Sequence, residues 1–343
     1  MKSNTAPLIL FLGFLFGFLP FAVPASEPAS PKANSLEDYL TRLGYTGVPF
    51  KRNEQDIPLV QVEMAGRKRV LLVDSGCTMT AIEPETAFGL KTLGELGVIL
   101  DDSFLGTITN GDIALMSDLR LGPARLLNQP ALVEKLDMDF VRVPHQGILG
   151  LDFLFRNFCL IDCHERKIYL RASRPSGQLS SALEESLRQS GFTGVPLSGH
   201  DFIAIQARIN DHAVKLVVDT GDGASVLDQG LAERLHLKPV KELQPDVGSL
   251  IPQDATGNLI GINKIGMHRA WVALLASFEV GERRWRNMSY GVIDLKAWKL
   301  IDEKDPEHGP QGLFGQELLA AKGGLIDFAN RKLWFRPEKH AGK

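Results

Sequence analysis

The sequence predicts a mainly β protein made of two homologous lobes with short helices. Three observations predict this class. Four blocks of sequence recur in the same order in both halves of the chain. Most apolar runs are short, β-rich and separated by turn residues. The length of 343 residues suits about two domains, and the 44% hydrophobic and 23% charged composition excludes a disordered chain.

Charge and cysteine content exclude several other classes of protein. The chain has 38 Lys and Arg residues against 41 Asp and Glu residues, so it lacks the basic surface that nucleic acid requires. We therefore expect no nucleic-acid partner. Three cysteines are too few for a disulfide scaffold, and no Cys/His cluster has the spacing of a common metal site. We expect no cofactor and no metal.

The N-terminal segment has the pattern of a secretory signal peptide. Lys2 precedes an apolar run over 7–19, and small residues ending at Ala25 suit cleavage before Ser26. The prediction is a signal peptide over 1–25 and a periplasmic or secreted protein, with an uncleaved N-terminal anchor as the alternative. No later apolar stretch approaches the length of a membrane helix, so we expect no stable membrane span after cleavage.

The internal repeat defines the domain organisation. The four pairs of matching blocks are 35–50 with 182–197, 70–76 with 215–221, 119–122 with 278–281, and 147–154 with 312–319. The offset changes only between blocks, as insertions in loops would produce. This predicts an N-terminal lobe over 35–171, a Pro/Gly/Ser-containing linker over 172–181 and a C-terminal lobe over 182–337.

Each lobe contains a predicted β-hairpin. In the first lobe its strands are 59–62 and 70–73, and in the second they are 202–206 and 214–218. The second strand of each hairpin runs into an Asp-Ser/Thr-Gly turn, where glycine permits a sharp change of direction. Short helices are expected after both turns, over 84–90 and 229–235.

The two aspartates at these turns, Asp74 and Asp219, are the candidate catalytic residues. Each ends an apolar strand that should be buried, where a carboxylate is costly unless it is hydrogen-bonded or functional. A single Asp-Ser/Thr-Gly tripeptide is usually only a turn. Two of them at the same position of a duplicated domain indicate a functional pair.

The motifs resemble those of the aspartic protease superfamily of retropepsins and pepsin. Leu72-Val-Asp-Ser-Gly76 is followed by Ile148-Leu-Gly150, and Val217-Val-Asp-Thr-Gly221 by Leu313-Phe-Gly315. The resemblance covers roughly residues 40 to 336 and is closest to bacterial retropepsin-like domains, here two in tandem. It implies two β-barrel lobes related by a pseudo-twofold axis, with one aspartate from each lobe.

The resemblance also implies the activity and the roles of neighbouring residues. The protein would be an aspartic endopeptidase that acts on polypeptides through a water molecule held between the two carboxyl groups. Ser75 and Thr220 would orient the two turns by hydroxyl hydrogen bonds across the lobe interface. Gly76 and Gly221 would let the backbones approach closely. Retropepsins assemble from two chains, whereas this chain carries both lobes, so we expect a monomer, with a swapped dimer as the alternative.

A second hairpin is the candidate flap over the substrate. The segment 105–115 centres on Asn110-Gly111, a strong hairpin signal. Thr109, Asn110 and Gly111 are the candidate substrate-contacting residues at its tip. The alternative is an ordinary surface hairpin. No tyrosine occurs between Tyr45 and Tyr169, so the tyrosine-bearing flap of pepsin is not expected.

The residues after the two turns depart from the family pattern. Cys77 and Asp222 stand where retropepsins usually have alanine and pepsins have serine or threonine. If Asp222 faces the two aspartates, it would raise their apparent pKa values and move activity toward neutral pH; otherwise it faces solvent or caps the next turn. Cys77 lacks the neighbours of a papain-like nucleophile. A disulfide between Cys77 and the strand that carries Cys159 is left open. Cys159 and Cys163 lie four residues apart, which is too far for them to pair with each other if they share one extended strand.

A non-catalytic peptide-binding or scaffolding module is the competing function. Loss of an aspartate is the commonest route to such a module, and both aspartates are present here. The sequence therefore favours the enzyme.

Overall fold

The structure is a computed structural model. It describes residues 35–53, 56–96, 100–103, 106–108, 111–136, 145–171, 173–239, 271–295 and 309–337. The predicted signal peptide over 1–25 lies outside these residues, as do Thr109 and Asn110.

The described residues form a mainly β structure, which confirms the predicted class. The strands of the first lobe are β1 Thr46–Pro49, β2 Lys51–Arg52, β3 Pro58–Met64, β4 Arg67–Val73, β5 Ala81–Ile82, β6 Lys91–Leu96, β7 Leu100–Ser103, β8 Gly106–Ile108, β9 Gly111–Leu121, β10 Ala124–Val133, β11 Gly147–Leu149, β12 Leu160–Asp162 and β13 Lys167–Leu170. Those of the second lobe are β14 Thr193–Pro196, β15 Ala204–Ile209, β16 His212–Asp219, β17 Val226–Asp228, β18 Trp271–Val280, β19 Arg283–Ile293, β20 Gly312–Gly315, β21 Gly324–Asp327 and β22 Lys332–Phe335. The helices are α1 Leu36–Arg42, α2 Pro84–Ala87, α3 Leu151–Arg156, α4 Gly177–Gln189, α5 Gln229–Arg234 and α6 Gln316–Ala321.

Each lobe contains a closed β-barrel of six strands. In the first lobe the order is β3-β4-β11-β5-β10-β9, and pairing of β3 with β9 closes the ring. In the second lobe the order is β15-β16-β20-β17-β19-β18, closed by pairing of β15 with β18. Equivalent strands occupy equivalent places in both rings, so the sequence repeat corresponds to a repeat of structure.

A six-stranded sheet joins the two lobes. Its order is β1-β13-β12-β21-β22-β14, with three strands from each lobe. The central strands β12 and β21 are antiparallel, and Ile161 pairs with Ile326. These two isoleucines are equivalent in the repeat, so the pseudo-twofold axis passes between them. This interlobe sheet fixes the orientation of one barrel relative to the other.

Helices α1 and α4 cover one face of the interlobe sheet. Leu40 of α1 and Leu187 of α4 are buried in one apolar cluster with Leu160 and Leu325 of the two central strands. Full burial of a leucine side chain stabilises the fold by about 2 kcal/mol. Ser176 caps α4 by accepting a hydrogen bond from the amide of Leu179, so this helix begins inside the predicted linker.

The opposite face of the interlobe sheet continues into the barrels. Ile161 and Ile326 belong to the same buried apolar cluster as residues of both barrels, including Leu149 and Phe314. One core therefore runs through both lobes and holds the barrel ends that carry the two Asp-Ser/Thr-Gly turns. In the part of the chain that is described, no helix is long and apolar enough to cross a membrane.

Candidate active site

Each catalytic candidate lies at the end of a central barrel strand. Strand β4 pairs in parallel with β11, and the amide of Asp74 donates to the carbonyl of Leu149 at 3.1 Å. Strand β16 pairs in parallel with β20, where Asp219 is in register with Gly315. The second glycine-containing motif of each lobe therefore supports the turn formed by the first.

The two supporting glycines, Gly150 and Gly315, are required by close backbone contact. A Cβ atom on Gly150 would lie 2.6 Å from backbone atoms of Met79, and one on Gly315 would lie 2.6 Å from the carbonyl oxygen of Ala224. Real Cβ atoms essentially never come within 3.0 Å of such atoms. The apolar-apolar-Gly motif is thus explained by the packing of one strand against the loop beside it.

The carboxyl groups of Asp74 and Asp219 meet across the lobe interface. Each carboxyl group is close enough to affect the pKa of the other. Each also packs against the glycine of the opposite turn: a Cβ on Gly76 would fall on the Asp219 carboxyl group, and one on Gly221 on that of Asp74. The two turns are therefore in direct contact, and only glycine leaves room for the facing carboxyl group.

Each carboxyl group is also held by its own turn. Oδ1 of Asp74 accepts hydrogen bonds from the amides of Gly76 at 2.7 Å and Cys77 at 3.2 Å. Oδ1 of Asp219 accepts the two equivalent bonds from the amides of Gly221 and Asp222, at 2.8 and 3.2 Å. These bonds fix both groups before any substrate binds.

Ser75 and Thr220 form four hydrogen bonds across the interface. The Ser75 hydroxyl donates to the carbonyl of Val218 at 2.8 Å and accepts from the amide of Thr220 at 3.0 Å. The Thr220 hydroxyl donates to the carbonyl of Val73 at 2.7 Å and accepts from the amide of Ser75 at 3.0 Å. Both side chains are fully buried. Each lobe thereby satisfies backbone groups of the other, which locks the two turns together.

The surroundings of the pair raise the pKa of both aspartates. Burial raises the pKa of Asp74, although hydrogen bonds from the amides of its turn oppose the effect. Burial raises the pKa of Asp219 well above its ordinary value, and the charges of Asp74 and Asp222 raise it further. Because two carboxylates in contact cannot both ionise cheaply, the pair retains one proton between them.

A second layer of polar groups, which the sequence reasoning missed, supports the glycine motifs. In the first lobe the Thr80 hydroxyl donates to Asp152 at 2.7 Å and accepts from the amide of Gly150 at 3.1 Å. In the second lobe the Ser225 hydroxyl accepts from the amide of Gly315 at 2.8 Å, and the Ser225 amide donates to Glu317 at 2.8 Å. The two acids could have been identified from the sequence, since Asp152 and Glu317 are equivalent in the repeated blocks 147–154 and 312–319.

Asp222 combines two of the alternatives that the sequence left open. Its carboxylate accepts a hydrogen bond from the amide of Ala224 at 3.0 Å and so caps the next turn. Its charge also acts on Asp219. Burial, together with the charge of Asp74, raises the pKa of Asp222 to about 6.

The cysteines are buried free thiols. Cys77 donates a hydrogen bond to the carbonyl of Met79 at 3.0 Å, and burial raises its pKa well above the ordinary value. A thiol held in this form is a poor nucleophile. Cys159 and Cys163 are also unpaired, so the disulfide that the sequence left open does not form. Within the described ranges, no three His, Cys, Asp or Glu side chains are placed to hold a metal ion.

The predicted turn at Asn110-Gly111 is wrong. Gly111 is the first residue of β9 and pairs with Leu96 of β6, while β8 pairs with β7. Strands β6 and β7 therefore form one arm of a longer hairpin, and β8 and β9 form the other. An Asn-Gly pair usually marks a two-residue hairpin turn, but β9 pairs with 91–96 and not with the segment just before the pair. Thr109 and Asn110 lie outside the described residues, and the flap role stays a prediction.

Comparison with known proteins agrees with this geometry. The sequence pattern of the family described as aspartyl protease matches residues 60–153 and 205–318. The two matches fall one in each lobe, contain Asp74 and Asp219, and together cover more than half of the chain. A search of curated proteins finds no match. The chain therefore belongs to the aspartyl protease family.

Proposed function

We propose that the protein is an aspartic endopeptidase that cleaves peptide bonds with a water molecule activated between Asp74 and Asp219. One observation carries the proposal: the two carboxyl groups meet across the seam between two barrels, each packed against the glycine of the opposite turn. The other features of the site support it, since the turns are locked together and each carboxyl group is oriented by amides of its own turn.

In the proposed mechanism the pair acts as acid and base at once. The ionised carboxylate takes a proton from the bound water, and the protonated carboxyl group donates to the carbonyl oxygen of the substrate as the water attacks. The resulting tetrahedral gem-diol breaks down when a proton passes to the departing amide nitrogen. The substrate is a polypeptide, and no cofactor takes part in these steps.

We further propose that one chain is sufficient and that it works outside the cytoplasm. Both aspartates and both supporting motifs come from a single chain, whose lobes share the interlobe sheet. A monomer is therefore the proposed active form. The signal-peptide pattern over 1–25 supports export to the periplasm or the medium. Sedimentation of the mature protein distinguishes a monomer from a swapped dimer.

The test is cleavage of a peptide library by purified mature protein across a pH series. Asp74→Asn and Asp219→Asn each abolish cleavage while leaving the fold intact, because asparagine keeps the shape and the acceptor oxygen but cannot hold or take the catalytic proton. Circular dichroism checks the fold of both variants. Cleavage that persists in both variants would place the activity elsewhere. Peptide binding without cleavage by the native chain would favour the non-catalytic module.

A further inference from the structure

The two lobes differ beside the aspartates, although the rest of the site is nearly symmetric. The position after the turn glycine is Cys77 in the first lobe and Asp222 in the second. Strand pairing shows a further difference. Ala81 is in register with Leu132. Val226, which is equivalent to Ala81 in the second lobe, is in register with Gly291. The residues that precede these partners, Ala131 and Tyr290, are therefore equivalent positions with different polarity.

The polar groups special to the second lobe are connected to one another. The amide of Asp222 donates to Asp219 at 3.2 Å, which places Asp222 on the Asp219 side of the pair. The carbonyl of Asp222 accepts from the amide of Gln316 at 2.8 Å, at the start of α6. The next residue, Glu317, accepts from the amide of Ser225. A continuous set of contacts thus runs from Asp219 through Asp222 to Glu317.

The acids of this set are partly exposed and have no basic partner among the described residues. Neither Asp222 nor Glu317 forms an ion pair with any of them, and Oε2 of Glu317 is buried without a hydrogen-bond partner. The hydroxyl of Tyr290 is buried close to Ser225. The Cys77 thiol, which occupies the equivalent position beside Asp74, is protonated and uncharged.

The acids of this set ionise in a definite order. Burial raises the pKa of Glu317 to about 8, with a further contribution from Asp222, and that of Asp222 to about 6. Near neutral pH the negative charge of the set therefore lies on Asp222, next to Asp219. The titratable groups that face Asp222 are Asp74 and Asp219 from the turns and Glu317 from α6.

We infer that Asp222 is a positioning residue for the catalytic pair: its charge holds the shared proton on Asp219 and keeps the singly protonated pair, and with it catalysis, to higher pH. Asp74 is then the base that receives the proton of the water. This inference rests on the proposed endopeptidase function. Glu317 lies behind Asp222 and is neutral near pH 7, so the negative charge acts on the catalytic pair from the Asp219 side only.

The test compares Asp222→Asn with Asp327→Asn in the mature protein. The amide side chain introduced by Asp222→Asn retains an oxygen that can accept from the amide of Ala224, so the turn is preserved while the charge is lost. Asp327 is a fully buried acid with a pKa of about 6, whereas Asp222 is partly exposed. Asp327 lies in the interlobe sheet beside Glu184. It therefore controls for the loss of any buried carboxyl group.

The first readout is the pH profile of kcat/KM for the best peptide of the library. The alkaline limb moves down by about one pH unit in Asp222→Asn and stays in place in Asp327→Asn. The second readout needs no activity: ¹³C NMR of protein labelled at the aspartate carboxyl carbons follows the titration of Asp219, which moves in the same direction. An Asp222→Asn protein with an unchanged limb and an unchanged titration would overturn the inference.

The two readouts also separate this inference from the function on which it rests. If the native chain cleaves no peptide at any pH but the Asp219 titration still moves in Asp222→Asn, the endopeptidase proposal fails and the proton assignment stands. If cleavage occurs and both variants move the limb equally, the role assigned to Asp222 is wrong, because loss of a remote acid has the same effect.

Discussion

The hydroxyl of Thr220 offers a direct test of how the lobe seam holds the site. Thr220→Ala removes one donor and one acceptor at a fully buried position. The carbonyl of Val73 and the amide of Ser75 lose their partners, and both belong to the opposite lobe. Water cannot replace the hydroxyl without opening the interface, so both backbone groups remain unsatisfied.

The expected cost follows from these two lost partners. A buried backbone group without a hydrogen bond costs about 1–3 kcal/mol, so two cost about 4 kcal/mol together. Thr220→Ser is the matched control, because it keeps the hydroxyl and loses only a methyl group, at about 1 kcal/mol. The same turn carries Asp219, so Thr220→Ala also misplaces a carboxyl group of the proposed catalytic pair and lowers kcat about 100-fold.

The assay is urea unfolding followed by tryptophan fluorescence, since Trp334 is fully buried in the interlobe sheet and reports separation of the lobes. The free energy of unfolding of Thr220→Ala is compared with those of the native protein and Thr220→Ser. If Thr220→Ala is within about 1 kcal/mol of Thr220→Ser, the hydroxyl bonds do not hold the lobes together and the reasoning fails.

Three further predictions follow from the packing and the buried charges. Gly221→Ala places a Cβ on the Asp74 carboxyl group and abolishes cleavage in the peptide assay, whereas Gly177→Ala, at an open position in α4, leaves it unchanged. Glu317→Gln reduces the loss of stability with rising pH. Burial raises the pKa of Glu317 from its ordinary value of 4.5 to about 8, so the native protein loses stability as the pH rises through this range and the variant does not. The free energy of unfolding of the variant, relative to that of the native protein, is expected to rise by on the order of 3 kcal/mol between about pH 4 and about pH 7, measured by urea unfolding at both pH values. Arg336→Met leaves the fully buried Asp162 carboxylate without its ion-pair partner and costs about 3–5 kcal/mol; a thermal midpoint equal to that of the native protein would contradict this.

The repeat is the reason why the sequence predicted so much of the site. Asp74 and Asp219 are far apart along the chain, and no local pattern says that they meet. Their equivalence in a duplicated unit indicated a functional pair, and the resemblance to aspartic proteases implied that one aspartate from each lobe meets the other at a pseudo-twofold axis. The same argument located Gly150 and Gly315, whose need for glycine is visible only in the backbone contacts with the loops beside them.

The features that were missed depend on three-dimensional neighbours. The pairing of β12 with β21 across the lobes is set by how the barrels pack. Thr80 and Ser225 are single polar residues in loops, and nothing in their local sequence distinguishes them from exposed ones. The position of the turn in the candidate flap hairpin was mispredicted, because β9 pairs with β6 and not with the segment just before the Asn-Gly pair.

The difference between the two lobes beside the aspartates supports the proposal that a single chain forms the active enzyme. In a symmetric dimer every residue near the pair occurs twice. An aspartate that follows the turn glycine of one lobe would therefore also follow that of the other, and the two added charges would disfavour ionisation of both aspartates of the pair. Fusion of the halves removes that constraint: Asp222 faces Asp219, while its counterpart beside Asp74 is the neutral Cys77. Acid and base catalysis require opposite protonation states from two chemically identical groups. A one-sided charge meets this requirement, and Cys77→Asp, which restores the symmetry, is expected to raise the pKa of Asp74 and lower kcat/KM near neutral pH; unchanged activity there would refute the argument.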